Sequence, residues 1–296
     1  MLKDLKKDID KGLRDFAVEL KKKYSIHNIS PILHDAIKDF ILRDGKRIRP
    51  SLCMVTYMGY TKKRTFKYDK LVRSALSLEL LHDFLLIHDD VIDKSELRRG
   101  KPTMHRMMNK SYKAGKDNEL GPNLSIVAGD MIYAFSIDTF LSLDEKPARK
   151  ENALIDFTKA AIYTGGGEYI DVVNSVTPID KVTEQDIYMT YILKTAKYTF
   201  EYPMVIGAKL AGAPAKEIQK LSSLGILLGE AFQIQDDMLD IFFTSKEIGK
   251  SALSDLEESK KTLLLWKAYN DLGAADNNSV LSDFGYSDVG IGIRLL

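Results

Sequence analysis

Leu71, Ala75, Leu78, His82, Leu85 and Asp89 are spaced four, three, four, three and four residues apart. That rhythm draws one continuous face down a long α-helix, apolar along its length and acidic at its end. Helical periodicity recurs along most of the chain, and the strict alternation that a half-buried strand needs is hard to find. The sequence therefore predicts an all-α fold. Ser30-Pro31 reads as a cap followed by proline in the first turn, starting a helix that runs to about Arg43 and stops near Gly45. Another helix is expected after Pro50, and others over about 124–143, 148–173, 183–210, 215–243 and 255–272. Segments 94–102 and 113–122 are expected to be loops, since both are polar and carry Gly and Pro. No linker divides the chain, so one helical domain over residues 1–296 is the economical expectation.

Two acidic patterns of one kind close two of these helices. Asp89-Asp90-Val91-Ile92-Asp93 and Asp236-Asp237-Met238-Leu239-Asp240 both read DDxxD. In each, the first and last Asp stand one helical turn apart on the same face, where like charges repel unless a cation compensates them. Both follow apolar runs, Leu85-Leu86-Ile87 and Ala231-Phe232-Gln233-Ile234, so the carboxylates sit at the mouth of an apolar interior. Acids there are costly unless bound to metal. Hard oxygen donors without a Cys or His cluster point to Mg²⁺, which commonly enters a site with a phosphorylated substrate.

The rest of the composition narrows the setting. With 43 basic and 42 acidic residues the net charge is +1, which gives no reason to expect a nucleic-acid or membrane-surface partner. Cys53 is the only cysteine, so neither an internal disulfide nor a thiolate metal site is expected, and a reducing compartment, the cytoplasm, is the default. Residues 1–23 mix Lys, Asp and Glu with spaced Leu and lack the apolar core of a signal peptide. No stretch approaches the ~20 apolar residues of a membrane span.

Basic residues are grouped in a few places. Lys46 and Arg49 lie in the segment from Gly45 to Pro50, and Arg98-Arg99-Gly100 follows the first acidic pattern. A mixture of forked guanidinium and point-charge ammonium suits an anion with many oxygens, such as a diphosphate. Lys194-Thr195 and Lys250 are weaker signals of the same kind. His82 lies on the inward face of the long helix, where a neutral core histidine and a ligand are both open readings. His88 and His105 have no partner at zinc-site spacing.

Taken in order, Gly45-Lys46-Arg47-Ile48-Arg49-Pro50, Glu79-Leu80-Leu81-His82, His88 with the first acidic pattern, Arg98-Arg99-Gly100-Lys101-Pro102, Lys194-Thr195-Ala196, Phe232-Gln233-Ile234-Gln235 with the second, and Gly249-Lys250 resemble the trans-isoprenyl diphosphate synthases. The resemblance covers roughly residues 30 to 265. It implies the all-helical isoprenoid synthase fold, with helices around a central active-site cavity, usually as a homodimer. It also implies the chemistry: an allylic diphosphate ionises, its carbocation adds to isopentenyl diphosphate, and a proton is lost. On this resemblance, two or three Mg²⁺ ions are held between two facing carboxylate clusters. Asp89, Asp93 and Asp236 are the expected direct ligands, with Asp90, Asp237 and Asp240 bound through water or in support. Arg98, Lys194 and Lys250 would hold the allylic diphosphate, while Lys46, Arg49, His82 and Arg99 would hold isopentenyl diphosphate. Thr195 and Gln233 would line the reaction centre. Phe84 and Leu85, five and four residues before Asp89, would help set the floor of the tunnel for the growing chain. An aromatic Phe84 implies a product of fifteen or twenty carbons, twenty favoured.

Some positions depart from the family pattern. Asp44 and Ser259 stand where glycine is common, and Glu168 where glutamine is common. Residues 273–296 read as loop, and the family's closing helices are not evident there. A class I terpene cyclase is the nearest enzymatic rival, but its second metal motif typically mixes Asn, Ser or Thr with Glu. A catalytically silent partner subunit is the other, and both acidic patterns here are complete.

Overall fold

Residues 2–22 carry apolar side chains three or four apart, and in the structure, a computed structural model, they form α1 (Leu2–Lys22). Leu5, Ile9, Leu13, Phe16 and Leu20 make its buried stripe. The structure describes residues 1–243 and 254–271. A short α2 (Ile26–Ile29) leads to α3 (Pro31–Ile41), where Ser30 Oγ accepts the Leu33 N–H at 3.2 Å, as the Ser-Pro signal predicts. α4 (Ile48–Tyr60) starts before Pro50 rather than after it. Proline is tolerated there because the first-turn N–H groups have no helical acceptor.

The long helix of the sequence pattern is α5 (Tyr68–Ile92). It is buried on nearly all sides from Leu71 to Leu81, not on one stripe, and so forms the centre of its layer. Beyond Leu81 the burial opens, leaving Phe84, Leu85 and Leu86 half-buried.

Segment 94–102 is not simply a loop. It holds a two-stranded hairpin, β1 (Leu97–Arg98) with β2 (Lys101–Pro102). Arg99 and Gly100 form its turn, both at positive φ (55° and 71°), as the tight two-residue hairpin requires. Strands of two residues are too short to show an alternating pattern. The buried Arg43 fixes this hairpin by donating to the Arg98 carbonyl at 3.1 Å and the Pro102 carbonyl at 2.7 Å. Then come α6 (Met104–Ser111), unanticipated, and α7 (Leu120–Phe140), which starts inside the expected second loop. α7 is the main packing partner of α5.

α8 (Pro147–Val176) follows, then a 3₁₀ turn at Ile179–Lys181 and α9 (Glu184–Thr190), opened by a capping box between Thr183 and Asp186. Helix expected over 183–210 is present but not uniform. Tyr191–Glu201 is wound as a π-helix before α10 (Tyr202–Ala211). Gly167 and Gly229 bring neighbouring backbone against this stretch; a Cβ on them would lie 2.4 Å from Lys194 N and 2.3 Å from Ala196 Cα. α11 (Ala215–Phe242) ends at the second acidic pattern. The single helix expected over 255–272 is instead α12 (Ser254–Glu257) and α13 (Leu263–Asp271). Ser259 between them has φ 56°, the left-handed region that explains why glycine is common at this position.

Packing divides the chain into two compact units. One joins Met1–Thr158 to Pro203–Leu221; the other joins Lys159–Tyr202 to the described residues from Ser222 onward. No sequence signal marks these boundaries, because they fall within or beside helices rather than at linkers. Among the described residues no helix is long and apolar enough to cross a membrane.

Candidate active site

In the first unit, Arg49, Arg99, Arg98 and Arg47 all act on His82. Burial and then these cations push the imidazole well below its usual value, so His82 is a neutral hydrogen-bonding group in a positive environment. The arginines come from two elements. Arg47, at φ 53°, precedes α4 and turns inward; its guanidinium donates to Glu79 Oε1 at 2.6 Å, Asp10 Oδ1 at 2.9 Å and the Arg43 carbonyl at 2.5 Å. Burial opposes its charge, but Glu79 and Asp10 outweigh burial and hold it firmly protonated. Arg99 comes from the hairpin turn. Its Nη2 lies 3.7 Å from Glu79 Oε1 and its Nη1 3.6 Å from Asp83 Oδ1, and Nη1 is buried without a hydrogen-bond acceptor. Lys46 is exposed and Arg49 half-buried beside them.

At the end of α5 the acids are unequal. Asp90 is fully buried and accepts from Arg98 Nε at 2.7 Å; burial pushes its carboxyl up to about 6 against the pull of Arg98. Arg98 Nη2 also reaches Asp89 Oδ2 at 2.9 Å. Asp89 and Asp93 are half-buried, with Asp93 the last residue of the helix turn. Phe84, one turn before His88, packs its ring 4.7 Å from that imidazole and 5.1 Å from Tyr133 of α7.

The second unit repeats the inequality. Asp236 is half-buried, whereas Asp237 and Asp240 are buried. Asp237 accepts from Gln233 Nε2 at 2.8 Å and from the Tyr191 hydroxyl, and Gln233 Oε1 in turn accepts from Thr195 Oγ1 at 2.6 Å. Burial pushes the Asp237 carboxyl up to about 7. Asp240 accepts the Asp255 N–H at 3.0 Å. Lys194, on the π-helix, is clasped by Asp171 at 2.6 Å and Glu168 at 2.8 Å. Glu168, a departure from the family pattern, thus gives Lys194 a second carboxylate. Lys250 lies outside the described residues.

The donor groups of each acidic pattern, taken separately, suit Mg²⁺. The half-buried Asp89, Asp93 and Asp236 offer hard carboxylate oxygens, while protein groups hold the second Asp of each pattern. Among the described residues no three His, Cys, Asp or Glu side chains converge into a metal cage. Mg²⁺ does not need one, since it is ordinarily held by one or two carboxylates with substrate oxygens and water.

Residues 30–285 match the polyprenyl synthetase family model. The chain belongs to the polyprenyl synthetase family. This polyprenyl synthetase is 31% identical over 258 residues to the short chain isoprenyl diphosphate synthase of Methanocaldococcus jannaschii, covering 87% of this chain and 72% of that protein. It is 31% identical over 257 residues to the geranylgeranyl diphosphate synthase of Sulfolobus acidocaldarius, covering 86% and 72%. Among solved structures, geranylgeranyl pyrophosphate synthase from Corynebacterium glutamicum, complexed with isoprenyl diphosphate and magnesium, superposes with a TM-score of 0.88 at 26% identity, covering 99% of this chain and 83% of that one. The all-α isoprenoid synthase fold expected from the motifs is therefore present, and the polyprenyl synthetase is an enzyme, a prenyl-transferring diphosphate synthase.

Several residues of this polyprenyl synthetase escape a reading of motifs. Arg47 carries no signal of its own within the Gly45–Pro50 segment, yet it is the most deeply buried of the arginines around His82. Glu79 and Asp83, one turn apart on α5, underlie Arg47 and Arg99. Their spacing with His82 on the buried helix was the available signal. Tyr191, which ties Asp237 to the Leu263 N–H at 2.8 Å, had none, because the π-helix breaks the expected register.

Proposed function

We propose that this enzyme condenses isopentenyl diphosphate with an allylic diphosphate to give a short-chain trans-prenyl diphosphate, twenty carbons favoured over fifteen. The observation that supports a two-substrate reaction most is the set of Arg47, Arg49 and Arg99 around neutral His82, in addition to Arg98, which Asp89 and Asp90 hold at the acidic end of α5. Lys46, Arg49, His82 and Arg99 are the proposed holders of isopentenyl diphosphate. Arg98 and Lys194, each already held by a pair of carboxylates, together with Lys250 are the proposed holders of the allylic diphosphate. Fixing both substrates by their diphosphates orients the carbons that react.

Asp89, Asp93 and Asp236 are the proposed Mg²⁺ ligands, for two or three ions, with Asp90, Asp237 and Asp240 in support. Bound Mg²⁺ would supply positive charge to the departing diphosphate. The Thr195 hydroxyl, oriented by Gln233, is proposed to face the allylic cation and exclude water from it. The released diphosphate is the proposed acceptor of the final proton. A homodimer in the cytoplasm is proposed as the working assembly.

Arg99→Ala is expected to raise the KM for isopentenyl diphosphate about 10- to 100-fold, the worth of one charge-assisted contact, and to change the KM for the allylic substrate little. Steady-state kinetics with each substrate varied in turn check this. Equal effects on both KM values would remove the assignment. Phe84→Ala, by opening the ring contact with Tyr133, is expected to lengthen the product past twenty carbons. An unchanged product spectrum would count against Phe84 as the floor.

A further inference from the structure

Asp83 is fully buried on α5, and neither of its carboxylate oxygens has a hydrogen-bond partner. Leaving such a group unsatisfied is expensive. Its nearest countercharge is Arg99 Nη1 at 3.6 Å, a nitrogen that is itself buried and without an acceptor. The two groups attract one another but stop short of a hydrogen bond. The groups facing Asp83 are Arg99 from the hairpin, Arg47 and Arg49 from the start of α4, and Glu79 one turn back on α5, with Asp10 of α1 behind Arg47. Glu79 is occupied by Arg47 at 2.6 Å. Arg99 therefore has no strong acceptor, and Asp83 no strong donor.

We propose that Asp83 is a positioning residue for Arg99: its carboxylate holds the guanidinium over the isopentenyl diphosphate site, then takes up a proton from solvent as a diphosphate arrives, releasing Arg99 to the ligand. The inference rests on the proposed role of Arg99 in that site. When the diphosphate leaves, the proton returns to solvent and the charge on Asp83 draws Arg99 back. Burial, and after it the nearby Glu79, already push the Asp83 carboxyl up to about 7, with the arginines pulling the other way. A bound anion cancels part of the arginines' pull, so the carboxyl rises further and protonates. Proton uptake therefore accompanies binding, and affinity falls as pH climbs above about 7.

Calorimetric titration of the full chain with isopentenyl diphosphate alone, in buffers of different ionisation enthalpy, reads the protons taken up. Wild type is expected to take up more protons than Asp83→Asn between pH 7 and 8. Subtracting the variant cancels the ligand's own titration and any uptake at His82. Relative to the variant, wild-type affinity should fall by up to about tenfold per pH unit above 7. A second readout is thermal unfolding. The raised carboxyl of Asp83 costs wild type stability as pH rises from about 4, its unfolded value, to about 7, so Asp83→Asn should gain in melting temperature over wild type across that window and keep a constant advantage above it. Equal proton uptake and parallel pH profiles, with binding still weakened by Arg99→Ala, would overturn the role of Asp83 alone. Binding insensitive to Arg99→Ala would overturn the site and this inference together.

Discussion

Asp89→Asn is expected to lower kcat by about 10³-fold, with the melting temperature moved by no more than about 2 °C. The half-buried Asp89 carboxylate is one of the proposed Mg²⁺ ligands, so the amide removes charge from the place where diphosphate departs. The fold should survive because Asp90 keeps its own hold on Arg98 at 2.7 Å, and Arg43 still clasps the hairpin carbonyls. Asp90→Asn provides the contrast. Asp90 is fully buried and bound to Arg98, so its substitution should cost more stability and less turnover than the change at Asp89. Steady-state turnover at saturating Mg²⁺ and thermal unfolding of the two variants, side by side, separate these effects. Equal losses of turnover would mean that the two aspartates are not divided between ligand and support.

The second large effect is on stability. Glu79→Ala is expected to cost about 3 kcal/mol, because it strips the countercharge from Arg47 where both side chains are 2% exposed. Removing one partner of a buried pair leaves the other charge uncompensated, which is more damaging than never having built the pair. Asp10 and the Arg43 carbonyl remain on Arg47 and keep the cost at the lower end. Glu79→Gln, which keeps an acceptor without the charge, should fall between alanine and wild type. Denaturant unfolding checks both variants. A cost below about 1 kcal/mol would show that Asp10 and the backbone suffice to hold Arg47.

Much of this was legible in the chain because periodicity and motif spacing are local properties. The long helix through 71–89, the Ser30-Pro31 start and the positions of both acidic patterns all survive in the structure, although that helix is buried nearly all round from Leu71 to Leu81 rather than on one face. What escaped depends on contacts distant in sequence. Arg47 meets Glu79 across 32 residues, and nothing beside Arg47 shows that it turns inward at positive φ. The π-helix at Tyr191–Glu201 packs closely against Gly167 and Gly229, contacts that no single-helix pattern records. The hairpin around Arg99 has too few residues for alternation to appear, yet it aims that side chain at α5. The inequality among the aspartates was expected from family resemblance; burial supplies its physical cause.

Two-substrate elongation is decided by a single incubation. Labelled isopentenyl diphosphate is supplied with Mg²⁺ and, in turn, dimethylallyl, geranyl and farnesyl diphosphates, and the products are separated by chain length. Label is expected in an all-trans prenyl diphosphate, chiefly of twenty carbons, formed only when an allylic partner and Mg²⁺ are both present. No elongated product with any allylic partner, or a cyclic hydrocarbon made from the allylic diphosphate alone, would contradict two-substrate elongation.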